Sequence, residues 1–358
     1  MKVALTCSRY FPHIGGVETH VQELSERLVK KGFEVDVLTT DFTGELPKEE
    51  IINGVPVKRF KSFAPGEAYY FSRGLSKYLR KVSGEFDIVH AHSYHAFPSL
   101  YAARAKDRNK LVLTPHYHGT GHTPLRALLI RPYRLIGKRI FKEADKIICV
   151  SNHEKNLLFQ HFRIDEEKTV VIPNGLNLAE FKDLKKMKKN FKIILYVGRL
   201  EKYKGVHHLI GVLPRLSHDV RLRIIGKGSY KDNLVRLIRK LGIEDRVEFY
   251  QDLTRHELLQ KYADADVFVL LSKHEAFGIS VAEALASKTP CIVAKTSALA
   301  EWVDNQNCFG VDYPVEIKTL ASLIGDVIGK KVKQVKLWDW DEVAAKTVEL
   351  YNDVTSAK

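Results

Sequence analysis

The sequence predicts an α/β protein made of two doubly wound, Rossmann-like domains, and three observations lead to this prediction. Apolar strand patterns alternate with amphipathic helical patterns from the first residues, the alternation restarts after residue 190, and no long hydrophobic run interrupts it. Repeated β-α units form parallel sheets with helices on both faces. At 358 residues, the chain has the length of about two domains that each bury a core.

The first array of elements covers residues 1–175. Its clearest helix is predicted at 17–31, where apolar residues recur at helical spacing. Strands are predicted at 2–7, 34–39, 87–91, 111–115, 146–150 and 169–173.

The second array covers residues 176–337, and the join falls near Pro173-Asn174-Gly175 and the lysine-rich stretch 182–190. Residues 338–358, with a helix over 338–354, are expected to pack back on the first domain. Strands are predicted at 192–198, 221–226, 246–250, 266–271 and 290–294, with helices near 205–215, 230–241, 255–262 and 279–287.

Composition favours a soluble cytoplasmic protein. Hydrophobic residues make up 45% of the chain and charged residues 28%, and no segment has the pattern of a signal peptide or of a membrane span. Abundant lysine and glutamate with two methionines indicate a thermophilic source. Free buried thiols in a reducing cytosol are expected for the four widely spaced cysteines, Cys7, Cys149, Cys291 and Cys308.

The net charge of +14 is spread along the chain with one local exception. Residues 126–142 contain no acid, and apolar residues separate their bases, which favours an amphipathic helix on the anionic inner face of a membrane. An ordinary surface helix is the alternative. Nucleic acid is not an expected partner, because no nucleic-acid motif accompanies the charge. The bases are Arg126, Arg131, Arg134, Lys138, Arg139 and Lys142.

The segment 275–283 is the strongest functional signal. It follows the buried-strand pattern at 266–271 and reads as a loop with Gly278 at the turn and Glu283 one turn into a helix. Backbone N–H groups at a helix start bind phosphate, and a carboxylate deeper in the helix accepts hydrogen bonds from ribose hydroxyls. The alternative is a pair of solvated carboxylates, Glu275 and Glu283. The spacing predicts a nucleotide-diphosphate-sugar site.

Two further segments supply phosphate-binding chemistry. Arg199 and Lys204 lie between Gly198 and the next helix, where a rigid guanidinium and a mobile ammonium can hold both phosphates in place of a divalent metal. Gly15-Gly16 follows the first strand and precedes a helix, although it is not the Gly-x-Gly-x-x-Gly fingerprint.

The histidine and aspartate groups of the sequence do not favour a metal site. His116, His118 and His122 are close in sequence, and a second group lies at 90–95, but neither has a carboxylate or cysteine partner for zinc. Asp264-Ala-Asp266 precedes a strand instead of following one, so a helix end and turn is the expected structure.

Taken together, the motifs resemble the retaining glycosyltransferases of family 4, which have the GT-B fold. The resemblance implies that a hexosyl group moves from a nucleotide-activated donor with retention of configuration, without a cofactor or an obligatory metal. The motifs are Gly15-Gly16 with Glu18, His116, Val150-Ser151, Pro173-Asn174-Gly175, Gly-Arg-Leu-x-x-x-Lys-Gly at 198–205, and Glu-x-Phe-Gly at 275–278 followed by Glu283.

The resemblance also assigns expected roles. Arg199 and Lys204 hold the leaving diphosphate, Glu275 lies near the donor sugar hydroxyls, and His116 positions the transferred sugar. The nucleotide base of the donor is expected to contact the loops that follow the strands ending near Gly226 and Tyr250. The expected donor-binding residues are Gly15, Gly16, Asn174, Gly198, Gly226, Phe277, Gly278, Ile279 and Glu283. Two such domains facing each other leave a cleft for the donor.

One departure and two other functions accompany the resemblance. Members often carry a Gly-Gly pair ahead of a Glu, but in the corresponding region of this chain, 295–301, Glu301 is present and the glycines are not. An isomerase of the nucleotide-sugar 2-epimerase type and a non-catalytic nucleotide-sugar binder remain alternatives. The expected partners are a UDP-, GDP- or ADP-linked sugar and a lipid-linked, polyisoprenoid or saccharide acceptor.

Overall fold

The computed structural model describes residues 1–119 and 124–356, and for residues 124–132 it describes the backbone alone. The chain divides into two compact units. The first unit is Met1–Gly175 together with Trp338–Lys358, and the second is Leu176–Leu337.

The first unit contains an eight-stranded sheet in the order β3-β4-β2-β1-β5-β6-β7-β8. Every pairing is parallel except that of β3 with β4, as expected for a doubly wound sheet with one added edge hairpin. The strands are β1 (Lys2–Thr6), β2 (Glu34–Asp41), β3 (Glu49–Ile52), β4 (Val55–Lys61), β5 (Ile88–His92), β6 (Lys110–Thr114), β7 (Lys146–Cys149) and β8 (Thr169–Val171).

Helices cover both faces of this sheet. Alternate residues of β1 show the division, because Val3 and Leu5 pack with α1 and α11 while Ala4 packs in the core formed with α2 to α5. The helices of this unit are α1 (Gly16–Lys30), α2 (Arg73–Val82), α3 (Phe97–Arg104), α4 (Pro124–Glu143), α5 (Asn152–Phe162) and, from the end of the chain, α11 (Trp340–Ser356).

Helix α11 belongs to the first unit through buried contacts. The Tyr351 hydroxyl lies 2.6 Å from His90 Nδ1, and Trp340 packs edge-on against His20 with ring centroids 5.2 Å apart. A Cβ at Gly175 would lie 2.7 Å from the Trp340 backbone nitrogen, so only glycine fits at this point of the chain.

The second unit contains a six-stranded, fully parallel sheet in the order β11-β10-β9-β12-β13-β14. Its core joins the strands and the surrounding helices in one apolar cluster. The strands are β9 (Lys192–Val197), β10 (Val220–Ile225), β11 (Val247–Tyr250), β12 (Val267–Leu270), β13 (Cys291–Ala294) and β14 (Cys308–Val311). The helices are α6 (Val206–Val212), α7 (Lys231–Leu241), α8 (Arg255–Asp264), α9 (Ile279–Ala286) and α10 (Ile317–Val327).

The lysine-rich stretch 182–190 is tied to the second unit. Lys186 and Lys189 pair with Asp266 at 2.8 and 3.2 Å, and the Met187 N–H donates to Asp264 Oδ1 at 3.0 Å. Asp264 ends α8 and Asp266 lies in the turn before β12, which is the structural role that the sequence predicts for this Asp-x-Asp.

Eleven predicted strands are present, and three observed strands are not in the prediction. The missed β3–β4 hairpin turns at Asn53 and Gly54, which have φ of +50° and +83°. Asn-Gly is the common signal for such a turn, so the sequence contained this information. The short edge strand β14 shows no clear alternation of apolar and polar residues, so its sequence does not indicate a strand. Pairing with β13 stabilises it.

The four cysteines are free and buried, as predicted. Within the described residues, no helix combines the length and the apolar character that crossing a membrane requires.

Candidate functional site

Two glycines bring the carboxyl ends of β9 and β10 into close backbone contact. Gly198 and Gly226 have φ of +154° and +142°, and a Cβ at Gly226 would lie 2.0 Å from the Gly198 carbonyl oxygen. Neither position therefore accepts a side chain without a backbone shift. Both glycines lie at the carboxyl edge of the second sheet, which is the end where parallel sheets bind nucleotides.

The two predicted cations lie directly beyond this edge. Arg199 is exposed, and its Nη2 donates to the Tyr203 hydroxyl at 2.8 Å. Lys204 is largely buried, and its Nζ lies 2.5 Å from Glu275 Oε1 and 5.4 Å from the Tyr203 ring centroid. Tyr203 thus contacts both cations, and Lys204 joins the strand end to the Glu275 loop.

Gly205 fixes the position of Lys204. The turn Lys202–Lys204 ends at Gly205, whose φ is +76°, and a Cβ there would lie 2.4 Å from the Leu271 carbonyl oxygen. This contact sets the turn against the end of β12, so Lys204 and Glu275 are brought together by backbone packing.

Segment 296–302 holds the Glu275 loop by side-chain hydrogen bonds. The Glu275 N–H donates to Ser297 Oγ at 3.0 Å, and Trp302 Nε1 donates to the Phe277 carbonyl oxygen at 2.7 Å. Gly278, with φ of +94°, precedes Ile279 at the start of α9. The structure therefore places Glu275, Phe277, Gly278 and Ile279 in one strand–loop–helix connection, as predicted.

Glu283 lies in α9 and is 8% exposed. The Tyr262 hydroxyl donates to its Oε2 at 2.9 Å, and the Arg255 guanidinium pairs with its Oε1. Arg255 also pairs with Glu180 at 2.9 Å. The carboxylate is therefore charge-compensated within its own unit, and a ligand hydroxyl would join or replace these partners.

In the first unit, Gly15 lies at the end of the connection from β1 to α1, and Gly16 is the first residue of the helix. Glu18 folds back over this connection, so a Cβ at Gly15 would lie 2.4 Å from Glu18 Oε2, whereas a Cβ at Gly16 would meet no atom within 4 Å. Arg9 pairs with Glu18 at 2.7 Å and with Glu67 at 3.0 Å. The helix start is thus bordered by one cation and two carboxylates.

His116 belongs to a group of four histidines at the carboxyl edge of the first sheet. The His20 ring lies 5.2 Å from both His92 and His116, and His90 lies 4.2 Å from His92. Asn174, predicted to bind the donor, accepts a hydrogen bond from His20 Nδ1 at 2.8 Å. Among the described residues, His116 Nε2 and both ring nitrogens of His92 have no hydrogen-bond partner.

Burial keeps these histidines neutral. It lowers the pKa of His20 to about 4, against the Asn174 hydrogen bond, and lowers the pKa values of His90, His92 and His116. No group of three or more His, Cys, Asp or Glu within the described part of the chain is arranged to hold a metal ion. His122, part of the zinc alternative, lies outside the described residues.

The basic segment forms α4, and its described part shows two faces. Tyr133, Gly137, Ile140 and Phe141 are buried, whereas an outer row is exposed. Leu135 is 68% exposed within that row. Arg134 lies 3.4 Å from His161 and is partly buried. The side chains of Arg126 and Arg131 lie outside the described residues. The exposed row consists of Leu135, Lys138, Arg139 and Lys142.

Comparisons with known proteins follow the same division of the chain. Residues 14–180 match Glycosyltransferase Family 4, and residues 179–337 match Glycosyl transferases group 1. An uncharacterized glycosyltransferase of Methanocaldococcus jannaschii is 30% identical, over 98% of each chain. The chain belongs to glycosyltransferase family 4.

Two solved structures share the GT-B fold of this family 4 glycosyltransferase. Sucrose-phosphate synthase from Thermosynechococcus elongatus superposes with a TM-score of 0.83 at 21% identity, over all of both chains. HepE of Anabaena, in complex with UDP and glucose, superposes with a TM-score of 0.80 at 20% identity, over 99% of this chain and all of that one. The predicted fold class, two Rossmann-like domains, is confirmed.

Residues 295–301 of this family 4 glycosyltransferase lack the Gly-Gly pair that family members often carry. Ser297 nevertheless has φ of +49°, the left-handed conformation that glycine favours. Its hydroxyl accepts the Glu275 N–H, so the side chain adds a contact where glycine has none.

Several contacts of the site are not apparent from the sequence. Tyr203, between two lysines, carried no signal, and Trp302 and Arg255 are distant in sequence from Phe277 and Glu283, which they contact. Gly205 was available as part of the Lys-Gly motif, and its positive φ explains why glycine is required there.

Proposed function

We propose that this family 4 glycosyltransferase moves a hexosyl group from a nucleotide diphosphate sugar to an acceptor hydroxyl, with retention of configuration and without an obligatory metal. The main support is the Lys204–Glu275 pair, at 2.5 Å, beside the glycine-lined edge of β9 and β10. That edge combines a cation for a diphosphate with a carboxylate for sugar hydroxyls.

The reaction breaks the bond between the anomeric carbon and the diphosphate oxygen. Negative charge then develops on the diphosphate while the sugar ring becomes oxocarbenium-like. Arg199 and Lys204 stabilise that charge electrostatically before and during bond cleavage. Retention follows if the acceptor oxygen attacks the same face and its proton passes to a departing phosphate oxygen, so that no separate base is needed.

The remaining residues of the second unit hold the donor. Glu275 accepts hydrogen bonds from sugar hydroxyls, and Glu283 accepts them from the ribose. The first-turn N–H groups of α9, beginning at Ile279, bind phosphate after the turn at Gly278. Gly198 and Gly226 let the carboxyl ends of β9 and β10 lie close together beside these groups.

His116 and the Gly15-Gly16 connection supply the contribution of the first unit. The Nε2 of a neutral imidazole can donate or accept a hydrogen bond with a sugar hydroxyl, depending on the tautomer, and in His116 this atom has no partner among the described residues. We therefore assign His116 to positioning the transferred sugar. The open space at Gly16 suits the phosphate and the acceptor. HepE was solved in complex with UDP and glucose, which makes a UDP-hexose the first donor to test.

The purified protein, incubated with UDP-, GDP- or ADP-hexoses and candidate acceptors, tests the function. We expect nucleotide diphosphate release that requires the acceptor, persists in EDTA and gives a product with the donor's anomeric configuration by NMR. Release without dependence on an acceptor, or interconversion of donor sugars without release, would contradict transfer. The second result would favour the epimerase type, and binding without turnover would favour a non-catalytic binder.

We further propose that the acceptor is presented at an anionic membrane surface. The exposed row of α4 places Lys138, Arg139 and Lys142 around Leu135, with the opposite face buried. Bases around an exposed apolar side chain suit the headgroup region of a bilayer. A lipid-linked or polyisoprenoid acceptor would be reached there, by a protein otherwise located in the cytoplasm.

Replacing Lys138 and Arg139 with glutamate is expected to weaken binding to anionic vesicles by at least about tenfold, since each base near such a surface contributes about 1 kcal/mol. Vesicle flotation at low salt measures the bound fraction. The matched control replaces Lys330 and Lys331, an exposed pair in the second unit, with glutamate. Absence of the wild-type protein from the vesicles at every salt concentration, or equal losses in both variants, would refute this surface.

A further inference from the structure

A buried carboxylate joins the loop that carries His116 to the neighbouring strand. Glu154 is the third residue of α5 and is fully buried. Its Oε1 accepts the N–H of Tyr117, which follows β6, and its Oε2 accepts the N–H of Val150 at 2.7 Å, which follows β7. Because β6 and β7 are neighbours, one side chain links the carboxyl ends of two strands.

The contact with Tyr117 acts on the backbone of His116. A peptide unit is planar, so the direction of the Tyr117 N–H is set by the ψ angle of His116. His116 has φ of +49°, a left-handed conformation that is unfavourable for a residue with a side chain. An acceptor fixed in the core therefore holds His116 in a conformation that it would not adopt by preference.

Stability alone does not explain this carboxylate. Burial raises the pKa of Glu154 to about 8, although the two N–H donors favour its charged form. Among the described residues, no lysine or arginine forms an ion pair with it. Burying such a group lowers the stability of the fold. What Glu154 contributes is a pair of oxygens placed to accept the backbone N–H groups of Tyr117 and Val150.

Helix α5 also holds the loop through the Tyr117 side chain. The Tyr117 hydroxyl lies 2.7 Å from His161 Nδ1, and its ring lies 5.5 Å from that of Phe162. Both partners belong to α5, as Glu154 does. The helix therefore fixes the residue after His116 at its backbone and at its ring.

We propose that Glu154 is a positioning residue for sugar transfer, because it holds the His116 loop in the conformation in which the imidazole meets the donor sugar. This inference rests on the proposed function of His116. Glu154 itself touches no substrate and acts through the Tyr117 peptide.

Glu154→Gln tests the inference with little change in volume. The amide keeps one acceptor oxygen but presents an NH₂ group to the second backbone N–H, so one contact is lost. We expect kcat to fall by up to ~10²-fold, since small misplacement of a positioned group has effects of that order, with little change in the KM of the donor. Amide hydrogen exchange of Tyr117 is expected to accelerate.

Ser151→Ala is the matched control. Ser151 Oγ accepts the Glu154 N–H at 3.1 Å and caps the same helix, whereas the Tyr117 N–H is bonded to Glu154 and not to Ser151. This variant is expected to lower Tm while kcat stays within about twofold of wild type, as for loss of a helix cap. The comparison separates loop geometry from loss of stability in α5.

A double-mutant cycle with His116→Ala completes the test. If Glu154 acts through His116, Glu154→Gln lowers kcat much less in the His116→Ala background, while its effect on Tm persists. Unchanged kcat, additive kcat losses, or unchanged Tyr117 exchange would each overturn the inference while leaving transfer intact. A wild-type protein that transfers no sugar overturns the proposed function, and the inference with it.

Discussion

Lys204→Ala is expected to lower kcat by ~10²–10³-fold, because one preorganised contact to a developing charge typically contributes that much. Lys204 is held by the Gly205 turn and by Glu275, so the ammonium is in place before the donor binds. Arg199→Ala is expected to act in the same direction. Arg199→Lys is not expected to restore full activity, because an ammonium lacks the planar fork of a guanidinium.

Steady-state kinetics with a saturating donor measure this effect, and Tm shows that each variant is folded. Lys202→Ala is the control, because Lys202 is an exposed lysine of the same turn. We expect the control to retain activity within about twofold and Lys204→Ala to lose it even when Tm changes little. Near-wild-type turnover of folded Lys204→Ala would remove this residue from the proposed mechanism.

The protein is expected to lose stability in acid through its buried histidines. The pKa of His20 falls from 6.5 when unfolded to about 4 when folded, because burial disfavours the charged ring. A folded pKa below the unfolded value stabilises the protein above pH 6.5, and that contribution is lost as the pH falls toward 4. The shift of about 2.5 units corresponds to roughly 3 kcal/mol for His20 alone.

The surroundings of this cluster add to the effect. His90 and His92 on β5 and His116 after β6 also have lowered pKa values, and no carboxylate in the described residues hydrogen-bonds to any of these rings. The other contacts are neutral: Asn174, Thr114, and Trp340 and Tyr351 of α11. Because no negative charge offsets a protonated ring, its positive charge also opposes protonation of the neighbouring rings.

Denaturant unfolding at pH 7, 6, 5 and 4 measures this dependence, with His20→Gln as the comparison. Glutamine keeps a polar group for Asn174 but does not titrate, so its unfolding free energy is expected to fall less steeply below pH 6.5. Equal slopes for both proteins would show that His20 does not control the acid response. Both proteins contain the same carboxylates, so the contribution of these groups to the pH dependence of the unfolding free energy cancels in the comparison.

The pattern of the chain predicted where the candidate donor-binding residues of the second unit lie in the fold. Gly198, Arg199, Lys204 and the segment from Glu275 to Glu283 follow strand ends, and the carboxyl ends of parallel strands share one edge. The structure places them there. Local spacing was sufficient, since each motif is short and each adjoins its own strand.

The sequence by itself determined the alternation of strands and helices, the two sheets and the glycines at the strand ends, because periodicity and backbone freedom are local properties. Only the tertiary structure decided that Asn174 serves His20, that Arg255 and Tyr262 hold Glu283, and that Glu154 accepts the Tyr117 N–H. These partners are separated by 21 to 154 positions. Burial and hydrogen-bond direction between such residues arise only when separate elements pack together, and no local pattern encodes them.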